Sequence, residues 1–146
     1  LHKDLKVLVE NFQKEKDPFS VLFIDIDHFK KVNDNHGHLV GTKLLESVAK
    51  DVKGLLRDYD LCYRYGGDEF IVLMAETELK NAYELKQRID DAVLKSIVTH
   101  DYKKIIYSIS IGILEIDLNF DDYLQWINTV DSKLYESKNR KIIPKA

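Results

Sequence analysis

The run from Phe19 to Ile26 constrains the fold more than any other segment. It is nearly all apolar, rich in β-branched and aromatic residues, and too short for a helix of its own. Such a stretch offers no polar face to water, so it reads as a strand covered on both sides, in the interior of a sheet. It ends in two carboxylates, Asp25 and Asp27, an unusual termination for a buried strand. The flanking segments supply the covering layers. Leu1, Leu5, Leu8, Val9 and Phe12 recur at helical spacing until the breaker Lys16-Asp17-Pro18. After a polar stretch from His28 to His38, where a short helical piece is followed by a turn marked by Asn33, Asp34, Asn35 and Gly37, a longer amphipathic helix carries Leu39, Leu44, Leu45, Val48, Val52, Leu55 and Leu56.

Two strand-like runs, Leu61 to Tyr65 and Phe70 to Met74, are joined by Gly66-Gly67-Asp68-Glu69, a hairpin whose adjacent glycines are expected to supply positive φ. Leu79, Ala82, Leu85, Ile89, Ala92, Val93 and Ile97 then mark another helix. Ile105 to Ile113 and Leu114 to Leu118 give one or two more strands around Gly112, and Phe120, Tyr123, Leu124, Ile127, Val130 and Leu134 a last helix before Pro144. This order predicts an α+β domain with a mixed, largely antiparallel central sheet flanked by helices, rather than a doubly wound one.

Composition narrows the function classes. Lys plus Arg number 22 against 25 Asp plus Glu, a net charge of −3, with no basic cluster longer than a pair; this argues against a binder of duplex nucleic acid. With 45% hydrophobic residues the chain can build a full core, which excludes intrinsic disorder. The single Cys62 cannot form an internal disulfide, so a reducing, cytoplasmic setting is expected. No apolar run approaches the roughly 18 to 20 residues that span a bilayer, so no membrane contact by this domain is expected. Residues 1–146 read as one domain without internal repeats, and a chain beginning at Leu1 reads as an excerpt of a longer protein whose upstream regulatory part is absent.

The chemistry concentrates where strands end. Asp25 and Asp27 follow the first strand; Asp68 and Glu69 sit on the Gly-Gly hairpin. Alone, either cluster reads more readily as a solvated turn. If the two strands are neighbours, Asp25 and Asp68 converge into a hard-cation site of the kind that holds Mg²⁺ with phosphate and water completing its shell, and two such ions can brace an in-line phosphoryl displacement. The segment Asp27-His28-Phe29-Lys30-Lys31 opens a helix just past a buried strand, where free N–H groups bind phosphate and Lys30 adds charge, unless the lysines are only a solvated face. Asn33 and His38 present an amide and an imidazole suited to a base edge, although each also suits a turn.

Phe23-Ile24-Asp25-Ile26-Asp27-His28-Phe29-Lys30-Lys31-Val32-Asn33-Asp34, Gly37-His38, Arg64-Tyr65-Gly66-Gly67-Asp68-Glu69-Phe70, Ser110-Ile111-Gly112 and the Asp131 to Lys138 helix together resemble the GGDEF family of diguanylate cyclases. The resemblance implies a palm-like nucleotide cyclase sheet with a ferredoxin-like core, and condensation of two GTP into cyclic di-GMP with release of pyrophosphate. It implies Mg²⁺, with Mn²⁺ as an alternative, on Asp25, the carbonyl of Ile26 and Asp68. Asp68 would also help deprotonate the ribose 3′-hydroxyl, with Glu69 in support. It implies phosphate binding by the amides of His28, Phe29 and Lys30 and by Lys138, and nucleotide contacts from Asn33 and His38. Each domain would hold one nucleotide, so catalysis would need a homodimer. Arg57 and Asp60 match the family's Arg-x-x-Asp site for inhibition by the cyclic dinucleotide product; otherwise they are a surface ion pair worth less than about 1 kcal/mol.

Two departures matter. Thr42 stands where the family has a guanine-reading Asp. A hydroxyl both donates and accepts, so it tolerates adenine, and ATP with a mixed cyclic GMP-AMP product becomes an alternative. After Lys138 the expected Gly-Arg-Asn spacing is missing, which leaves open a further alternative: an inactive receptor for nucleotide or cyclic dinucleotide.

Overall fold

The computed structural model describes residues 2–15, 17–64, 66–115, 128 and 132. The element order is α1 (His2–Glu15), β1 (Ser20–Ile26), α2 (Phe29–His36), α3 (His38–Lys53), β2 (Leu61–Arg64), β3 (Glu69–Met74), α4 (Leu79–Lys95), β4 (Thr99–His100), β5 (Lys103–Lys104) and β6 (Ile109–Glu115). Four strands form one sheet in the order β2-β3-β1-β6, and every pairing in it is antiparallel. The fold is α+β, as the element order predicts.

Strand β1 lies inside the sheet with β3 and β6 on its two edges, and every one of its residues is buried. Alternation along it defines two faces. Leu22, Ile24 and Ile26 join Phe70, Val72, Met74, Ile109 and Ile111 on one face, which is covered by Val40, Leu44, Val48 and Val52 of α3 and by Ala82, Leu85, Ile89 and Val93 of α4. Each fully buried aliphatic side chain of this kind contributes about 1.5–3 kcal/mol. Val21, Phe23, Ile71 and Leu73 form a second buried row on the opposite face. Helix α1 is tied to the edge strand, since the Tyr63 hydroxyl donates to an Asp4 carboxylate oxygen.

Several local expectations are corrected. Asn33, Asp34 and Asn35 lie inside α2, and the break before α3 is Gly37 alone. Its φ of 88° is open to glycine, while its N–H closes α2 on the Asn33 carbonyl at 2.7 Å. Gly37 is also the glycine at positive φ among the described residues, so positive φ is not what Gly66 and Gly67 supply. Helix α4 stops at Lys95, and Ile97 lies beyond it, 69% exposed. The stretch around residue 105 is not one continuous strand. A small hairpin, β4–β5, turns through Asp101 and Tyr102, both at positive φ as a type I′ turn demands, and β6 begins only at Ile109. Of the expected last helix, Asn128 and Ser132 are described and are helical; the rest of it, with Lys138 and Pro144, lies outside the described residues.

Candidate active site

The register of the sheet brings the two acidic segments together. Asp25 is paired with Glu69 across β1 and β3, and the Ile26 N–H donates to the Asp68 carbonyl at 3.1 Å. Asp68 is therefore the hairpin residue that meets the end of β1. Asp25 is 1% exposed. A carboxylate withdrawn this far from water gains most from a cation that replaces its lost hydration. Among the described residues no three His, Cys, Asp or Glu side chains gather into a ready-made metal cage. The oxygens that this strand end and the facing hairpin residue could offer a cation are the carboxylates of Asp25 and Asp68 and the Ile26 carbonyl. That all-oxygen set fits Mg²⁺ or Mn²⁺ and leaves positions for phosphate and water.

Gly66 earns its place by space. A Cβ there would stand 2.9 Å from Glu69 Oε2, whereas one on Gly67 would meet nothing within 4 Å. The Glu69 carboxylate thus folds back over Gly66. Arg64 braces the same loop, with Nε donating to the Gly66 carbonyl at 3.3 Å and Nη2 to the Gly67 carbonyl at 2.8 Å.

Asp27 has a different environment from Asp25. Its Oδ2 accepts from Ser108 Oγ at 2.6 Å, its Oδ1 from Ser110 Oγ at 2.5 Å, and its N–H donates to the Ser108 carbonyl at 2.9 Å. Beyond it, His28 sits in the left-handed region, φ 55° and ψ 34°, and precedes α2 without a side-chain cap. The first helical bond runs from the Val32 N–H to the His28 carbonyl at 3.0 Å. The N–H groups of Phe29, Lys30 and Lys31 precede it, so they have no acceptor one turn back within α2. No acidic residue stands in that first turn, and His28 and Lys30 are exposed beside it. This end of α2 suits an anion.

Asn33 and Gly41 meet where α2 crosses α3. A Cβ on Gly41 would fall 1.9 Å from Asn33 Oδ1 and 3.1 Å from Phe29 Cζ, so the amide lies flat against the bare backbone of α3. Asn33 Oδ1 is buried with no hydrogen-bond partner, a state that costs free energy until a ligand supplies a donor. His38 is exposed on the first turn of α3, and the Thr42 hydroxyl donates to its carbonyl at 3.1 Å. The Thr42 proton is thereby committed to the backbone, which leaves its oxygen as an acceptor.

Arg57 and Asp60 form a second polar centre. Asp60 accepts from the Arg57 backbone N–H at 2.8 Å, from Nε at 3.2 Å and from Nη2 at 3.1 Å. Arg57 Nη2 also reaches Thr77 Oγ1 at 2.5 Å, and its guanidinium carbon lies 4.5 Å from the centre of the Tyr59 ring. The hydrogen bond to Asp60 pushes the Arg57 guanidinium further up from its ordinary range. This is more than a surface pair, because it borders a cleft of about 240 Å³ lined also by Met74, Asn81, Glu84 and Arg88. Arg88, on α4, escapes sequence reasoning because a lone charged residue on a solvated helix face carries no signal of its own. Ser108 escapes it too, as one polar residue before a strand.

A family model described as diguanylate cyclase, GGDEF domain, matches residues 1–142. Diguanylate cyclase A of Treponema denticola is 39% identical over 125 residues, covering 86% of this chain and 34% of that protein. The response regulator PleD of Caulobacter vibrioides is 36% identical over 136 residues, covering 92% of this chain and 30% of its own length. The chain thus spans about a third of the curated relatives it matches. Among solved structures, diguanylate cyclase SiaD of Pseudomonas aeruginosa, solved with its activator SiaC, superposes with a TM-score of 0.89 at 31% identity, covering 94% of this chain and 53% of that one. The GGDEF domain of YfiN from the same species gives 0.88 at 29% identity, covering 96% and 88%.

Proposed function

Because the chain belongs to the GGDEF family of diguanylate cyclases, we propose that it condenses two GTP molecules into cyclic di-GMP. One observation carries the reading: β1 and β3 pair so that Asp25 faces Glu69 and the Ile26 N–H bonds the Asp68 carbonyl. Asp25, Asp68 and the Ile26 carbonyl would hold Mg²⁺. A divalent ion there would polarise the triphosphate and favour loss of pyrophosphate. The chain's own groups do the remaining work. The first N–H groups of α2 and Lys30 hold phosphate oxygens, Asn33 offers its buried amide to the base, and Asp68 takes the proton from the ribose 3′-hydroxyl, with Glu69 in support. The 3′ oxygen then forms a bond to the α-phosphorus of a second nucleotide as that phosphorus releases pyrophosphate. One site holds one nucleotide, so two copies must face each other, and holding the reactants in place supplies much of the acceleration. Lys138, the further phosphate ligand of this reading, lies outside the described residues.

Thr42 bears on base choice. With its proton on the His38 carbonyl it acts as an acceptor, which suits the N1–H and N2–H edge of guanine. Facing the bare N1 of adenine would require breaking that bond. This favours cyclic di-GMP over the mixed cyclic GMP-AMP product, with weaker discrimination than a carboxylate gives. The Arg57, Asp60 and Arg88 cleft is the site of inhibition by the cyclic dinucleotide.

The test is incubation of the protein with Mg²⁺ and GTP, ATP or both, with products identified by chromatography and mass. Cyclic di-GMP that disappears in Asp68→Ala supports the reading. Mixed product dominating from equimolar nucleotides, and lost in Thr42→Asp, would favour the hybrid cyclase. Nucleotide binding without any product would favour the receptor.

A further inference from the structure

We propose that Ser108 and Ser110 are positioning residues for triphosphate binding, acting through Asp27; this rests on the cyclase reading of the site. Asp27 stands two residues after Asp25, and its place beside a metal-binding carboxylate invites the same role for it. The geometry points elsewhere. Each of its carboxylate oxygens accepts from a serine hydroxyl, at 2.6 and 2.5 Å, and its N–H donates to the Ser108 carbonyl at 2.9 Å. Distances of this size are those of charge-assisted O–H···O⁻ bonds. Residues 108 and 110 are two apart, so they share one face of the chain entering β6 and together grip the turn that leaves β1.

The grip acts on the next residue. His28 is a non-glycine in the left-handed region, a conformation that persists where its surroundings hold it from both sides. On one side the α2 helix begins, with the Val32 N–H on the His28 carbonyl; on the other stands Asp27, fixed by the two serines. The direction of the first N–H groups of α2 is therefore set by Ser108 and Ser110, just before and within β6 and more than 80 residues away in sequence. The two hydroxyls also serve electrostatics. A carboxylate adjoining a phosphate cradle would repel the ligand, and donors on both its oxygens draw its negative charge away from the open N–H groups.

Ser108 is exposed and Ser110 fully buried, so Ser108 is the better probe, because losing its hydroxyl disturbs no core. In the intact protein, Ser108→Ala, Ser108→Thr, Asp27→Asn and Asp25→Asn are compared by two readouts. The first is calorimetric binding of 3′-deoxy-GTP with Mg²⁺, a probe that lacks the attacking hydroxyl and cannot react. The second is steady-state turnover of GTP across a Mg²⁺ titration. Ser108→Ala is expected to weaken 3′-deoxy-GTP and raise KM by on the order of tenfold, with kcat changed less than about twofold and the Mg²⁺ requirement unmoved. Ser108→Thr, which keeps the hydroxyl, restores binding. Wild-type affinity in Ser108→Ala overturns the proposal, as does no measurable triphosphate binding by the wild-type protein. An Asp27→Asn shift in Mg²⁺ requirement as large as that of Asp25→Asn also overturns it, by making Asp27 a metal ligand. Should the wild-type protein bind 3′-deoxy-GTP yet make no cyclic dinucleotide, the cyclase reading fails while the binding comparison still decides the role of the serines.

Discussion

Replacing Gly41 by alanine sets helix stability against nucleotide recognition, and the two effects have opposite signs. Gly41 is a buried interior residue of α3, where alanine is favoured over glycine by about 1 kcal/mol of helix propensity. The added Cβ would fall 1.9 Å from Asn33 Oδ1 and 3.1 Å from Phe29 Cζ. The first approach is impossible, but its target is the end of a flexible side chain, so Asn33 swings away at small cost. The second requires the Phe29 ring to yield by a few tenths of an ångström, at about 1 kcal/mol or less. Stability therefore changes by about 1 kcal/mol or less in either direction, while the amide proposed to meet the base is displaced. Loss of one or two hydrogen bonds to a ligand is worth about 1.5–3 kcal/mol, a rise in KM for GTP of roughly 10- to 100-fold. Thermal melts and steady-state kinetics separate the two effects. Because both substitutions act through the same amide, Gly41→Ala combined with Asn33→Ala should be no worse than Asn33→Ala alone. A Gly41→Ala variant with wild-type KM, or full additivity in the double variant, would refute the reasoning.

Gly66→Ala would drive a methyl to 2.9 Å from Glu69 Oε2; turnover is expected to fall by at least about tenfold with little change in melting temperature, read by product formation and circular dichroism. Asp60→Ala frees Arg57 from its three bonds, and added cyclic di-GMP should then fail to inhibit an otherwise active protein in a dose-response assay. Alkaline pH should destabilise the fold. Burial pushes the Cys62 thiol up from its ordinary 9.0, and burial, reinforced by Asp51, pushes the Tyr107 phenol up from 10.0. In both cases the folded state holds its proton more tightly than the unfolded one, so the stabilisation is complete below the unfolded values and is lost as pH rises from them through the higher folded ones. Melting temperature should decline above about pH 9, and Cys62→Ala should flatten the first part of that decline. The same burial makes Cys62 a slow target for iodoacetamide at pH 8, measured by mass against the unfolded protein.

The elements that sequence makes legible are those whose physics is local. The apolar run from Phe19 to Ile26 announces a covered strand, and Leu44, Val48 and Val52 announce the face of α3 that covers it, whereas Leu39 points to solvent at 61% exposure, Val40 fills the core beside it, and Leu55 and Leu56 lie beyond the helix end at Lys53. The turn residues misled because they have more than one use. Asn33, Asp34 and Asn35 look like a turn, yet α2 carries all three, since Gly37 supplies the break and Asn33 is placed to face Gly41. Gly66 looks like a source of positive φ and instead makes room for Glu69. The β4–β5 hairpin was hidden because its turn uses Asp101 and Tyr102 rather than glycine. At the site, Asp25 and Asp68 were legible as strand-end carboxylates. The partners of Asp27 were not, because nothing local marks two serines more than 80 positions away as its donors.

Register explains why one strand end serves two tasks. At the level of Asp25, β3 brings Glu69 and β6 brings Ser110, so the strand on one side delivers the acidic hairpin and the strand on the other delivers the grip on Asp27. Side chains alternate with a period of two, so a slip of one residue between β1 and β6 would turn Ser108 and Ser110 to the face now held by Ile109 and Ile111, and would take those isoleucines out of the core beneath α3 and α4 in exchange. The apolar alternation that buries Ile109 and Ile111 beneath α3 and α4 therefore also fixes where the two hydroxyls stand. Core packing and phosphate positioning are then one constraint on β6. A polar substitution at Ile109 or Ile111, made for its effect on the core, should weaken 3′-deoxy-GTP binding at temperatures where the domain remains folded. Unchanged affinity in such a variant would separate the two constraints and break this link.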